Sequence, residues 1–340
     1  MSATGKKIKV KLCTLNSDLW LRQFPNETPI WGDCEFIFDH TARDYDWFVV
    51  YNDLPRADMD EVLACPQRQT LLITTEPSSI KSYGIDFTRQ FGAVLTSQPE
   101  WALPHPDRIF SQPALHWFYG WGKETLRTYD QILALKPEKK KTIATVCSSK
   151  KQRHTLHNRR YKFTWEIRDR LPELDVFGHG VRAMDDKAES LDDYRYHIAI
   201  ENYLGEHHWT EKLADPFLAQ CLPFYFGCPN AADYFPEESF VQIDIFDTEE
   251  SYAVIEKTIR DREYEKRYPY ILEARRRVVD EYNLFAVLSR EISSRQGSDN
   301  LSTNGSIIYA RRLLRKKRPL VAVRDLVEKN RVRLISLLGK

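Results

Sequence analysis

Short apolar runs, each closed by Asp, Asn, Pro or Gly, recur along most of this 340-residue chain. Lys7–Cys13, Cys34–Phe38, Trp47–Tyr51, Gln69–Thr74 and Ala93–Thr96 form a first series. Lys141–Cys147, Leu174–Phe177, Tyr194–Ile200, Leu222–Phe226 and Phe240–Ile243 form a second. Runs this short and this continuously apolar suit the buried strands of a mostly parallel sheet with both faces covered. Helical patterns fall between them, at 123–135 and at His157–Arg170. Two such series in succession predict an α/β chain of two Rossmann-like doubly wound lobes facing one cleft. After Asp247 the chain reads as charged helices (Glu249–Tyr264, Pro269–Phe285, Ala286–Arg295), then a polar linker at Gln296–Gly305. The expected domains are therefore 1–125, 126–295, and a linker with a basic helical C-terminal tail at 296–340.

Charge sharpens the view of that tail. The whole chain is nearly neutral at +1. Residues 306–340 nevertheless hold eleven Lys and Arg against Asp325 and Glu328, a net +9, which leaves −8 for the rest. Ile307, Ile308, Ala310, Leu313 and Leu314 recur near helical spacing among these arginines, and Val332, Leu334, Ile335, Leu337 and Leu338 make a second apolar set. A cationic amphipathic segment of this kind suits the surface of an anionic membrane. A dimerisation helix is the competing reading, and nucleic-acid contact is disfavoured by the balanced composition of the remainder. Hydrophobic residues make up 42%, enough for two cores, and no apolar run approaches a membrane span of about 20 residues. The N-terminus lacks the continuous apolar stretch of a signal peptide, and the six cysteines are scattered without metal-site spacing. Both features set the expectation of a cytoplasmic protein, peripheral at the cytoplasmic face of the membrane.

The chemistry concentrates in 194–247. A strand ends in Glu201-Asn202, where side chains of an open α/β sheet face a crevice. A polar loop leads to Thr210-Glu211-Lys212 at a helix start, whose free N–H groups and adjacent ammonium suit a phosphate. Thr210 capping a helix with solvated neighbours is the plain alternative. Asp215-Pro216 offers another start, which would leave Lys212 on an irregular turn.

In order along the chain stand Asp175-Val176-Phe177-Gly178-His179-Gly180, Ile200-Glu201-Asn202, Thr210-Glu211-Lys212-Leu213, Pro223-Phe224-Tyr225-Phe226-Gly227 and Ser239-Phe240-Val241-Gln242-Ile243-Asp244. This ordered set resembles the donor-binding segment of glycosyltransferase family 10, the α-1,3/1,4-fucosyltransferases. The resemblance implies a GT-B architecture and an inverting transfer of fucose from GDP-fucose, with no tightly bound cofactor and divalent-cation stimulation left open. It implies that Lys212 contacts the donor diphosphate, Glu211 the ribose hydroxyls, and Asn202 the same site, with Glu201 and Tyr203 as further donor-site candidates. An arginine on the upstream helix is implied as well. Arg160, in Arg160-Tyr161-Lys162-Phe163, fits that setting best, and Arg159 is the fallback. Fixed cations there would stabilise the charge that gathers on departing GDP. The family often has an aromatic residue where this chain has His208, with Trp209 beside it.

The acceptor side needs a base. Leu71–Thr75 reads as a buried strand ending in Glu76-Pro77-Ser78-Ser79, similar to the family's strand-E-S-P segment. Glu76 is accordingly the candidate to take the proton of an acceptor hydroxyl. The expected acceptor is an oligosaccharide or a lipid-linked glycan such as a lipopolysaccharide precursor. Asp58-Met59-Asp60 has a metal-binding form but lies in a charged stretch, 57–64, read as a solvated helix face, and His207-His208 lacks a third ligand. No phosphate-binding loop of Walker type and no HExxH motif occurs. The competing functions are the same architecture with another nucleotide sugar, and a non-catalytic glycan- or nucleotide-binding protein docked to a membrane.

Overall fold

The structure is a computed structural model and describes residues 6–14, 17–113, 116–148, 156–296 and 305–338. The chain divides into two compact units, Met1–Ala114 with Leu284–Lys340, and Leu115–Asn283.

The first unit is built on a seven-stranded sheet. Its strands are β1 (Ile8–Cys13), β2 (Ile30–Trp31), β3 (Cys34–Ile37), β4 (Trp47–Tyr51), β6 (Thr70–Ile73), β7 (Ala93–Thr96) and β8 (Arg108–Phe110), while β5 (Asp60–Val62) lies outside it. The order is β2-β3-β1-β4-β6-β7-β8, parallel throughout except for β2. Strand side chains alternate between faces, and here both faces are core. Val10, Leu12, Trp47, Val49, Leu71 and Ile73 enter one cluster, whereas Cys13, Phe48, Val50 and Leu72 enter the other. A short helix α1 (Ile85–Thr88) follows β6.

The second unit holds a five-stranded, wholly parallel sheet of β9 (Lys141–Val146), β10 (Leu174–Phe177), β11 (Tyr194–Ile200), β12 (Leu222–Phe226) and β13 (Val241–Gln242). Its order, β10-β9-β11-β12-β13, places the reversal of winding between β9 and β11. Helices α2 (Tyr129–Ala134), α3 (His157–Arg170), α4 (Glu211–Leu218), α5 (Thr248–Arg260) and α6 (Glu263–Asp280) belong to this unit. Pro269 lies within α6 rather than opening a helix.

The expected boundaries need correction at the C-terminal side. Helix α7 (Leu284–Arg295) packs with the first unit. Its Leu284, Phe285, Val287, Leu288 and Ile292 sit in the same cluster as Val10 and Leu12, and Phe285 stacks on Phe24 with ring centroids 3.7 Å apart. The tail likewise belongs to that unit. Ile307–Tyr309 is a strand, β14, antiparallel to β5, followed by α8 (Arg311–Lys317) and α9 (Pro319–Leu338). Ile308, Ala310, Leu314 and Val321 fill the second core cluster, so most of the tail's first apolar set packs inward rather than forming a membrane-facing helix, while Ile307 stays exposed. Residues 57–64 contain strand β5, not a helix, because Asp60, Glu61 and Val62 pair with that returning segment.

Candidate functional site

The second unit's winding reverses between β9 and β11, and ligands of open α/β sheets bind beyond the carboxyl ends of strands at such a point. A cavity of about 450 Å³ lies there, within the ordinary range for small-molecule sites. Val146 and Ser148 line it from the end of β9, and Ile200 and Asn202 from the end of β11. His157 and Arg160 come from the first turn of α3, Glu211 and Lys212 from the first turn of α4, and Phe118 and Trp121 stack together on its rim side.

The start of α4 is fixed by a buried carboxylate. Glu201 has no solvent exposure, and its Oε1 accepts the Thr210 N–H and hydroxyl, each at 2.8 Å. Thr210 then caps the helix, its Oγ1 accepting the Lys212 N–H at 3.3 Å. The helix therefore begins at Glu211, and Pro216 is carried in its interior. Asp215 is not a cap. It is fully buried, with Oδ2 2.7 Å from Lys187 Nζ and Oδ1 accepting the Phe118 N–H. The motif glycine Gly227 has a packing reason, since a Cβ there would lie 2.4 Å from Glu201 Cγ.

The electrostatics follow from this packing. Burial disfavours the Lys212 ammonium, but Glu211 at 2.9 Å and Glu201 at 3.5 Å outweigh that and hold it above its ordinary range. Burial also works against the Glu211 carboxylate, yet Lys212 and Lys187 keep it down at about 2. Glu201 is pushed up by burial, with Lys212 opposing. Arg160 is 8% exposed and donates from Nη1 to Asn202 Oδ1 at 2.8 Å. Its buried Nε has no hydrogen-bond partner among the described residues. The result is a polar wall with a spare, buried guanidinium donor, suited to an oxyanion.

Four sequence candidates, Arg160, Asn202, Glu211 and Lys212, are thus brought together around one cavity. The other three are not. Glu201 braces Thr210 from beneath, Tyr203 packs edge-on to His208, and Arg159 is occupied by Thr248 Oγ1 at 2.9 Å and Glu166 at 3.5 Å. Trp209 is core, packed against Tyr234, Phe235 and Tyr282, and burial first, then Lys212, pulls His208 down to about 4. Lys187 was missed by sequence reasoning. The signal was the capping box Asp186-x-x-Glu189, which the structure realises in full and which sets Lys187 at the first position of a short helical turn. Among the described residues no group of three His, Cys, Asp or Glu is placed to hold a metal ion.

Glu76 lies in the first unit, just past the end of β6, and is half-buried. Its N–H points to Tyr83 Oη at 3.5 Å and its carbonyl accepts from Gln98 Nε2 at 2.7 Å, which fixes the turn that carries it.

Comparison with known proteins bears on the unit holding the cavity. The chain is 32% identical over 72 residues to an alpha-(1,3)-fucosyltransferase FucT of Helicobacter pylori, a match covering 21% of this chain and 14% of that protein. It is 35% identical over 88 residues to GDP-fucose protein O-fucosyltransferase 3 of Gallus gallus, covering 24% and 18%. The matched segments thus span less than a fifth of the length of these curated relatives. A solved alpha1,3-fucosyltransferase with GDP-fucose shares the fold, with a TM-score of 0.52 at 14% identity over 89% of this chain and 94% of that one. The α/β units are of the GT-B type. The family model of the glycosyltransferase family 10 (fucosyltransferase) C-terminal domain matches residues 136–271, so this segment is similar to that family's C-terminal domain.

Proposed function

We propose that the protein is an inverting fucosyltransferase that moves fucose from GDP-fucose to a hydroxyl of a glycan or lipopolysaccharide precursor. The convergence of Arg160, Asn202, Glu211 and Lys212 on the cavity between β9 and β11 carries this reading. In the proposed reaction the acceptor oxygen attacks the anomeric carbon as the bond to the diphosphate breaks, and the hydroxyl proton passes to Glu76. Arg160 and Lys212 stabilise the charge left on GDP, Glu211 holds the ribose hydroxyls, and the donor is substrate rather than cofactor. The test is product analysis after incubating the purified chain with a panel of GDP- and UDP-sugars and candidate oligosaccharides. Transfer of fucose supports the reading, and turnover confined to a UDP-sugar overturns it. Glu76→Gln is expected to lower kcat by about 10²–10⁴ while GDP still binds. Full activity in that variant removes Glu76 as the base.

The expectation of a membrane partner narrows to the outer face of α9. No helix among the described residues is long and apolar enough to cross a membrane. Leu320, Val323, Leu326, Val327 and Leu334 are each more than half exposed, whereas Val321 and Val332 on the opposite face are buried. At 100° per residue the exposed apolar stripe is flanked by Arg324 and Arg331 on one side and by Lys329 and Arg333 on the other. That arrangement suits peripheral docking on anionic lipid at the cytoplasmic face. Replacing Leu320, Val323 and Val327 by Ser is expected to lower binding to phosphatidylserine vesicles several-fold. Unchanged vesicle binding, or loss of a dimer in its place, refutes the membrane role.

A further inference from the structure

Beyond the carboxyl ends of β4, β6 and β7, the first unit gathers polar groups that the donor site does not use. Lys81 follows Glu76 on the same turn, where Pro77 O accepts the N–H of both Ile80 and Lys81. Its Nζ donates to Asn52 Oδ1 at 2.6 Å and lies 4.5 Å from the centroid of the Tyr83 ring. Tyr83 Oη donates to the same Asn52 oxygen and accepts the Thr75 N–H. Asn52 sits in the left-handed region at φ +77°, which an asparagine tolerates and which closes β4 at this point.

A second cation arrives from the far end of the sequence. Pairing of β14 with β5, and the Ala310 N–H on Met59 O, set Arg311 at the start of α8 with its N–H toward Asp53 Oδ1. The Arg311 guanidinium lies 5.6 Å from the same Tyr83 ring. Lys81 and Arg311 are both half-buried, and each is disfavoured first by that burial. Asp53 and Glu76 act on Lys81 from a distance. Among the described residues, neither Lys81 nor Arg311 has a carboxylate within ion-pair range. Asp53 and Asp325 likewise act on Arg311 from beyond ion-pair range, and a stacked tyrosine compensates a desolvated cation only weakly, so two adjacent cations without a direct ion-pair partner mark a place for an anion.

Neutral partners for a sugar stand next to them. Gln98 is 1% exposed, and its Nε2 spans the turn by donating to Glu76 O and Lys81 O. Its Oε1, the Ser78 hydroxyl and Arg311 Nε are buried without a hydrogen-bond partner among the described residues. An amide oxygen and a serine hydroxyl pair with sugar hydroxyls, whereas a guanidinium N–H pairs with an oxyanion.

We propose that Lys81 and Arg311, with Gln98 and Ser78, form an acceptor subsite beside Glu76 for an acidic sugar, its carboxylate or phosphate held between the ammonium and the guanidinium. The proposal rests on the reading of Glu76 as the base next to the acceptor. It also gives the C-terminal tail a binding role separate from membrane docking.

The test is calorimetric titration of the full chain with three probes: N-acetyllactosamine, its sialylated form and a phosphate-bearing form. At least one acidic probe is expected to bind ten times more tightly than the neutral one, and which one does so separates carboxylate from phosphate. Lys81→Gln and Arg311→Gln are each expected to abolish that advantage. Lys81→Arg and Arg311→Lys are expected to retain most of it, which separates lost charge from a disturbed fold. Equal affinity for all three probes, no binding of any, or an advantage that survives in both glutamine variants overturns the subsite. GDP binding measured on the same samples reports on the second unit, so failure of the donor reading appears there and not in the glycan titrations.

Discussion

Each unit sets cations beyond the carboxyl ends of a parallel sheet, and the two treat them differently. In the second unit Lys212 is clasped by Glu211 and Glu201, and Lys187 by Asp215, so the ammonium groups are locked, while the Arg160 Nε keeps a donor without a partner among the described residues. In the first unit Lys81 rests on a neutral amide and Arg311 on a tyrosine face. Paired charges in a dry wall hold fixed positions whatever the solvent does, which suits the diphosphate proposed for that site. Cations without counter-ions keep their charge for an incoming partner at a cost to the empty protein. The difference teaches that these clusters differ in what completes them: the donor wall is complete but for an anion on Arg160, whereas the first unit's cluster is half a salt bridge.

Deleting one cation from each cluster gives the largest contrast. Lys212→Ala strips two carboxylates, one fully buried, of their partner, and is expected to destabilise the fold by about 3 kcal/mol. With the proposed diphosphate contact gone as well, kcat for GDP-fucose is expected to fall about 10²–10³-fold. Lys81→Gln removes a desolvated charge that has no carboxylate within ion-pair range among the described residues, so stability is expected to stay level or rise slightly. Denaturant melts of the two variants check this, and equal losses would erase the distinction between locked and open cations.

A smaller effect concerns how the tail delivers Arg311. Leu314 is 2% exposed and packs in the cluster that also holds Ile308, Phe48 and Leu72. Leu314→Ala is expected to cost about 2–3 kcal/mol, and removing 306–340 is expected to compromise the first unit rather than leave it intact. A melting curve unchanged by Leu314→Ala would mean that the tail is not part of this core. The donor wall of the second unit should keep its GDP affinity in the point variant, because all of its lining residues come from other elements.

The strands were legible because a buried parallel strand must be apolar on both faces, a constraint local to a few residues. Trp47–Tyr51, Leu174–Phe177, Tyr194–Ile200 and Leu222–Phe226 are therefore strands with the bounds their composition indicates. The convergence of Asn202, Glu211 and Lys212 on one cavity was legible too, since they sit on adjoining strand and helix ends close in sequence. What stayed hidden depends on long-range pairing. Nothing local in Asp60-Glu61-Val62 announces a strand, because its partner, Ile307–Tyr309, lies some 245 residues away. Nor does Leu284–Arg295 carry a mark of which core it fills, and Glu201 reads as a ligand until Thr210 is seen to occupy both its oxygens.

The finest contrast between the clusters is their response to pH. Lys81 is pushed down to about 8, first by burial and next by Arg311, with Asp53 and Glu76 pulling the other way and Tyr83 packed against it. In the unfolded chain its ordinary value is 10.5. Between those values the unfolded state holds a proton that the folded state has released, so the contribution of Lys81 to stability rises with pH from about 8 to 10.5 and is flat below 8. Binding of an acidic probe runs the opposite way, since the anion needs the charged ammonium, and is expected to weaken about tenfold per pH unit above 8. At the second unit's cavity Glu211 stays ionised down to about 2, Lys212 is held above its ordinary value, and burial keeps His197, a further lining residue from β11, neutral down to about 3. GDP affinity measured from pH 7.5 to 9 is therefore expected to hold level while acidic-glycan affinity falls. Two parallel profiles, flat or falling, would mean that Lys81 is as firmly paired as Lys212 and that the first unit carries no open cation.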